Sequence, residues 1–292
     1  MAYLLIIFTI LLNFPLSYVS KASSTTLENV LLLTKFTLLR CLLGIVTGLI
    51  VLYTSKGSMH FDTRTILISF LFALTLIGGM YFTIYAYRLT TVAINSLFTS
   101  ASLIVPIVFG GIFLNEVISV YQIFAIILFF ASVYLITLTD EKAEHKFTFK
   151  TLAVLMAILF SGGIGSMSMQ MFTNYVPNGN MSWFIVLGYV FASVLLMIIY
   201  PFILKRTEGE TKLKGKVCFY AGSSAAMGFV IQQFTTMLIT MLPSFVLFPL
   251  LNGTAVIVST IVGAVSFKEK ITVKNSLGII LGLASLMAIN LL

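Results

Sequence analysis

From end to end the polypeptide alternates between charge-poor apolar stretches and short polar breaks, and that alternation leaves few folds open. The stretches run over about 2–20, 30–53, 65–87, 92–114, 118–138, 150–172, 182–204, 216–238, 244–266 and 272–291. Each is close to the ~20 apolar residues that cross the roughly 30 Å hydrocarbon core of a bilayer. Inside that core every backbone N–H and C=O must be answered within the protein, so a spanning segment is a helix or a strand of a closed barrel. Barrel strands are about ten residues long and alternate in polarity. Continuous apolar runs of this length are helices. The expectation is an all-α polytopic membrane protein with ten transmembrane helices, placed in the cell membrane.

Composition closes the other routes. Only 9% of the 292 residues are charged and 59% are hydrophobic, whereas a soluble domain carries about 25% charged residues to make its water-facing surface. A soluble enzyme, a nucleic-acid binder and a disordered scaffold are thereby set aside. The spans take up most of the chain and leave no room for a folded extramembrane domain. Val19-Ser20-Lys21-Ala22-Ser23 loosely suggests a signal cleavage site, but a secretory signal has a basic segment before its apolar stretch. Met1-Ala2-Tyr3 supplies none, so the first span is read as retained. Cys41 and Cys218 lie inside apolar runs without partners at disulfide or metal spacing. They are read as small hydrophobes.

The net charge of +8 reports on topology. Lys21, Arg88, Lys142, Lys146, Lys150, Lys205, Arg206, Lys212, Lys214, Lys216, Lys268, Lys270 and Lys274 fall on one side of the membrane, and Lys56 and Arg64 on the other. Cytoplasmic loops hold such an excess, which puts both termini outside.

An internal repeat is visible. A shift of 153 residues lays Phe113-Leu114-Asn115-Glu116 over Ser266-Phe267-Lys268-Glu269. Downstream, Ile118 meets Ile271, Val120 meets Val273, Ile126-Ile127-Leu128 meets Ile279-Ile280-Leu281, and Ala131-Ser132 meets Ala284-Ser285. Gly110 meets Gly263 upstream. Apolar sequence matches itself easily. A Glu at equivalent breaks, without a gap across two helices, does not arise so easily. The chain therefore divides into two five-helix repeats, residues 1–140 and 148–292. An odd number of spans per repeat forces opposite orientations, an inverted repeat of the kind that places a substrate site near the midplane of many secondary transporters.

These features resemble the drug/metabolite transporter superfamily, in its ten-helix EamA-like branch. The resemblance rests on Arg40-Cys41-Leu42-Leu43-Gly44 in the second span, Pro106 and Leu114-Asn115-Glu116 around the fourth, and Phe267-Lys268-Glu269 after the ninth. The chain departs from the family pattern in three places. Asn115 and Lys268 stand where a glycine precedes each Glu, Ser259 replaces the second proline, and no Trp-Gly occurs near Asn13. The resemblance implies a transporter of a metabolite, and it implies cytoplasmic termini, against the charge bias.

Candidate site residues are few and mostly neutral. Asp62, Asp140, Glu28, Glu116, Glu141, Glu144, Glu208, Glu210 and Glu269 all fall in breaks or at span ends, as do His60 and His145. Proton-driven pumps and cation exporters keep an ionisable group inside the spans, and intramembrane acid–base or metal catalysis needs the same residues. No enzymatic activity, metal or cofactor is therefore expected. Arg40 lies near the middle of the second span. A cation at that depth faces a wet cavity or an anionic group, or it snorkels or bonds a neighbouring helix; both readings stand. Asn13, Tyr81, Tyr85, Asn95, Ser100, Gln170, Gln232 and Asn252 also recur within spans. They line a lumen for an uncharged, zwitterionic or anionic solute, or they are interhelical hydrogen bonds. Gln233 adjoins Gln232 and cannot face the same cavity squarely.

Gly162 and Ser166 suit close helix packing, and Pro106 and Pro249 predict kinks. Glu116 and Glu269 are read as caps of the helices that follow them, and Trp183, Tyr175 and Tyr200 as interfacial belt. The function expected is a secondary transporter of a small metabolite by alternating access, a monomer or weak homodimer with the solute and the bilayer as its partners. A multidrug or cation exporter and a non-transporting membrane scaffold are the alternatives.

Overall fold

Helices follow the apolar runs. The computed structural model describes residues 2–27, 29–54, 62–113, 119–137, 148–176, 179–206, 212–241, 251, 254–269 and 273–291. Among them the elements are α1 (Ala2–Thr26), α2 (Val30–Thr54), α3 (Thr63–Leu89), α4 (Val92–Ser100), a turn of 3-10 helix (Ala101–Leu103) and α5 (Ile104–Phe113). There follow α6 (Val120–Thr137), α7 (Phe149–Tyr175), α8 (Met181–Arg206), α9 (Gly215–Met241), α10 (Thr254–Phe267) and α11 (Val273–Leu291). The breaks begin helices by supplying side-chain acceptors for the first free N–H groups. Asn29 Oδ1 accepts from Leu32 N at 2.8 Å, Thr148 Oγ1 from Thr151 N at 3.2 Å and Asn180 Oδ1 from Trp183 N at 3.1 Å.

Among the described residues six helical stretches are long and apolar enough to cross a bilayer: Tyr3–Thr26, Val30–Thr54, Thr63–Leu89, Val92–Phe109, Phe149–Tyr175 and Met181–Arg206. Val120–Ser132, Thr254–Phe267 and Ser276–Ser285 are apolar but shorter. α9 has the length, 27 residues, but Ser223, Ser224, Gln232, Gln233 and Thr235 dilute its apolar character. Among the described residues every element is a helix, and the chain is a multi-pass integral membrane protein. Its outward side chains are correspondingly apolar, with Leu67, Phe124 and Phe202 among the exposed ones.

Three details differ from the pattern read in the sequence. α1 does not stop at Ser20 but carries Lys21 inside its helix. The fourth span is not one α-helix: α4 gives way to the 3-10 turn just before Pro106, whose ring crowds the carbonyl four residues earlier, at Ser102. Trp183, expected in the interfacial belt, is buried at 8% exposure in a core with Phe184 and Phe172, whereas Tyr175 stays exposed at 44%. Asn252, Pro249 and Glu116 lie outside the described residues.

Packing joins distant parts of the chain. α1 packs on α9 and α10; α7 packs on α3 and on the rod of α4, the 3-10 turn and α5. α2 packs on α8 and α9, α3 on α8, α4 on α10 and α6 on α11. Small residues set the closest approaches. A Cβ on Gly162 would stand 3.0 Å from Ser102, and one on Gly163 2.4 Å from Val105 and 2.6 Å from the Ser102 carbonyl. The close contact expected at Gly162 is thus with the 3-10 turn. Cys41 is buried and Cys218 half-buried, both as free thiols.

Candidate functional site

α2 lifts Arg40 ten residues into its helix, about 15 Å at 1.5 Å per residue, and so to mid-membrane depth. The side chain is half-buried, and its Nε is buried without a hydrogen-bond partner. Parts of three helices lie near it. From α9, Gly228 offers a bare backbone: a Cβ there would stand 3.6 Å from Arg40 Nη2. From α8, Tyr189 lays its ring against Gly44, one turn along α2, where a Cβ would meet it at 3.0 Å. From α3, Tyr87 is buried, and both tyrosine hydroxyls lie within electrostatic reach of the guanidinium.

Polar groups continue from there. Gln232 shares the α9 face of Gly228, four residues on, and its Nε2 donates to Met169 Sδ of α7 at 3.5 Å. The next residue, Gln170, has a buried Oε1 without a partner. Tyr81 is hydrogen-bonded through its hydroxyl to Thr34 of α2. Arg40, Tyr81, Gln170 and Gln232 thus belong to the group of helices α2, α3, α7 and α9. Gln233 is turned away and donates to Ser182 Oγ of α8 at 2.6 Å.

The remaining candidates fall elsewhere. Asn13 donates to Thr9 O of its own helix at 2.9 Å. Asn95 is fully buried between α4 and α3, donating to Thr83 O at 3.0 Å, and its Oδ1 has no partner. Ser100 is buried at the end of α4. Tyr85 lies under the Lys150 ammonium, 5.4 Å from its ring centroid.

A second polar centre was not legible in the sequence. Lys21 Nζ lies 3.0 Å from Glu269 Oε1, with both side chains at 9% exposure or less. Lys21 also donates to Tyr87 O at 2.6 Å and Thr90 O at 3.2 Å, the carbonyls that end α3. Glu269 Oε2 accepts from Val92 N at 2.8 Å, the first N–H of α4. Each charge thus sits at the helix end whose dipole favours it. Glu269 does cap a helix, but not the one that follows: it caps α4, 177 residues earlier in the chain. Gly263 makes the room, since a Cβ there would stand 2.5 Å from Glu269 Oε2.

The turn that delivers Glu269 runs through Lys268 at φ 53°, a left-handed conformation that costs most L-residues about 1–2 kcal/mol and glycine almost nothing. Lys268→Gly is therefore expected to raise stability by about 1 kcal/mol. Thermal unfolding in detergent reads this, and an unchanged or lowered midpoint would contradict the backbone account.

Known proteins give a consistent picture. The chain is similar to a protein solved by crystallography at 13% identity, with a TM-score of 0.62 over 98% of this chain and 95% of that chain. At that identity the likeness concerns the fold alone. No curated protein matches. The family model of the EamA-like transporters matches residues 3–138, which carry Arg40 and the Lys21 of the buried ion pair. Over these residues the chain is similar to the EamA-like transporter family, which is consistent with the drug/metabolite transporter superfamily.

Proposed function

We propose that the protein is a secondary transporter that carries a small metabolite across the cell membrane by alternating access of two inverted five-helix halves, residues 1–140 and 148–292. The observation that carries this reading is the reciprocity of helix packing. Let α1, α2, α3, the α4–α5 rod and α6 answer in order to α7, α8, α9, α10 and α11. Then α1 on α9 answers α7 on α3, α2 on α9 answers α8 on α3, and α1 on α10 answers α7 on the rod. The pairs α2–α8, α4–α10 and α6–α11 are their own counterparts. A two-fold axis generates such a set, and an odd number of spans per half lays that axis in the membrane plane. The end of the family match at residue 138 supports the boundary between the halves.

In this reading the solute path runs between the halves, past Arg40, Tyr81, Gln170 and Gln232. The protein works as a monomer or weak homodimer, with no catalytic residue and no resident cofactor. Purified protein in liposomes is expected to give saturable flux that is accelerated by unlabelled solute on the opposite side. Flux without saturation or counterflow would indicate a channel-like pore. An absence of flux for every metabolite class would leave a membrane scaffold.

A further inference from the structure

Resting on that reading, we infer that the transported solute carries a carboxylate and that Arg40 is the group that grips it. A guanidinium held at mid-membrane depth calls for an anion, because an uncompensated charge there is costly. Among the described residues the carboxylates are Asp62 and Glu269. Asp62 is exposed where α3 begins, and Glu269 is engaged by Lys21 and Val92 N. Neither answers Arg40. The guanidinium keeps a buried Nε without a partner, and its planar fork of donors matches a carboxylate by two parallel hydrogen bonds.

The surroundings favour one negative charge over two. Lys35, the nearest cation along α2, turns to the ring of Tyr200, 5.8 Å from its centroid. A single guanidinium balances a carboxylate but leaves a phosphate dianion uncompensated, and it repels a cationic solute. On the side of the opposite half Gly228 presents no side chain, and a Cβ there would stand in ordinary contact with Arg40 Nη2, at 3.6 Å. Tyr189 of α8 and Tyr87 of α3 lie within electrostatic reach of the guanidinium. Gln232, one turn beyond Gly228, and Gln170 are placed for the polar remainder of the solute. Elements of both halves, α2 and α9, therefore border the place where the carboxylate binds.

The test is a thermal-shift and liposome-flux panel on the full-length protein. It comprises zwitterionic α-amino acids, monocarboxylates, the corresponding amides, sugars, monophosphates and quaternary amines. At least one carboxylate is expected to raise the melting midpoint and to show saturable flux, while its amide does neither. Arg40→Gln is expected to weaken that solute by about tenfold or more, since hydrogen bonds to a charged group are worth about 1.5–3 kcal/mol. Gly228→Val, which keeps the guanidinium and fills the space beside it, is expected to do the same and serves if Arg40→Gln does not fold. Saturable flux of a neutral or cationic solute, unchanged in both variants, overturns the carboxylate assignment and leaves the transporter standing. Tightest binding of a monophosphate overturns it as well. Flux of nothing in the panel overturns both.

Discussion

Lys21→Met is expected to cost about 3–5 kcal/mol of stability, because it strips the counter-ion from a carboxylate that stays buried. Glu269 would keep its bond from Val92 N–H at 2.8 Å but lose the ammonium at 3.0 Å. The carbonyls of Tyr87 and Thr90 would lose their donor at the same time. The double variant Lys21→Met/Glu269→Gln is expected to recover much of the loss, since Gln keeps an acceptor for Val92 N–H and removes the stranded charge. Thermal unfolding in detergent distinguishes the three proteins. The gap between wild type and Lys21→Met should persist at about 1 M salt, where screening acts on exposed charges far more than on buried ones. A single variant as stable as wild type would show that the pair carries no weight.

The second large effect is expected at Gly163. A methyl group there would stand 2.4 Å from the Val105 side chain and 2.6 Å from the carbonyl oxygen of Ser102, and a backbone atom cannot rotate aside. Gly163→Ala is therefore expected to cost about 1–3 kcal/mol, at the upper end for overpacking by so small a group. Gly162→Ala is the control. Its new methyl meets only the Ser102 side chain, at 3.0 Å and more, and a smaller loss is expected. Equal unfolding midpoints for the two variants would mean that the rod moves aside readily, contrary to the close packing of α7 against it.

Much of this fold is written in the chain because lipid allows so few alternatives. Apolar runs of spanning length become helices, and Asn29, Thr148 and Asn180 at the breaks become their caps. What resisted reading was polar residues inside the runs. Lys21 looks like the end of a span, yet its partner is Glu269, at the far end of the sequence. No local spacing encodes that pairing. Asn13 and Asn95 look like lumen residues, but each is satisfied in part by a nearby backbone carbonyl. Arg40 stands out in the sequence by its depth, whereas Gly228 beside it and Tyr189 against Gly44 carry no sequence signal, since a glycine or a tyrosine in a span is ordinary. The burial of Lys21 also removes one charge from the side that decides topology. The excess on that side remains, with Lys150, Lys205, Arg206, Lys212, Lys214 and Lys216 still on it.

The hydroxyls within the helices have a mechanical consequence. Thr9, Thr37, Thr47, Ser168, Ser193 and Thr260 each donate to the carbonyl four residues earlier in their own helix. A hydroxyl committed in this way fastens nothing to its neighbour, so the neutral ties between helices fall to a few side chains such as Tyr81 on Thr34, Gln233 on Ser182 and Ser69 on Phe184 O. The stronger ties lie toward the rims. Lys21, Glu269 and Arg88, which donates to Ser24 O at 3.1 Å, gather at one end of α3, and Arg64, which donates to Tyr175 O at 3.3 Å, stands at the other. These charged ties are thus gathered at the two ends of α3. Opening either rim therefore means breaking a charged tie, whereas between its ends α3 is tied by neutral hydrogen bonds.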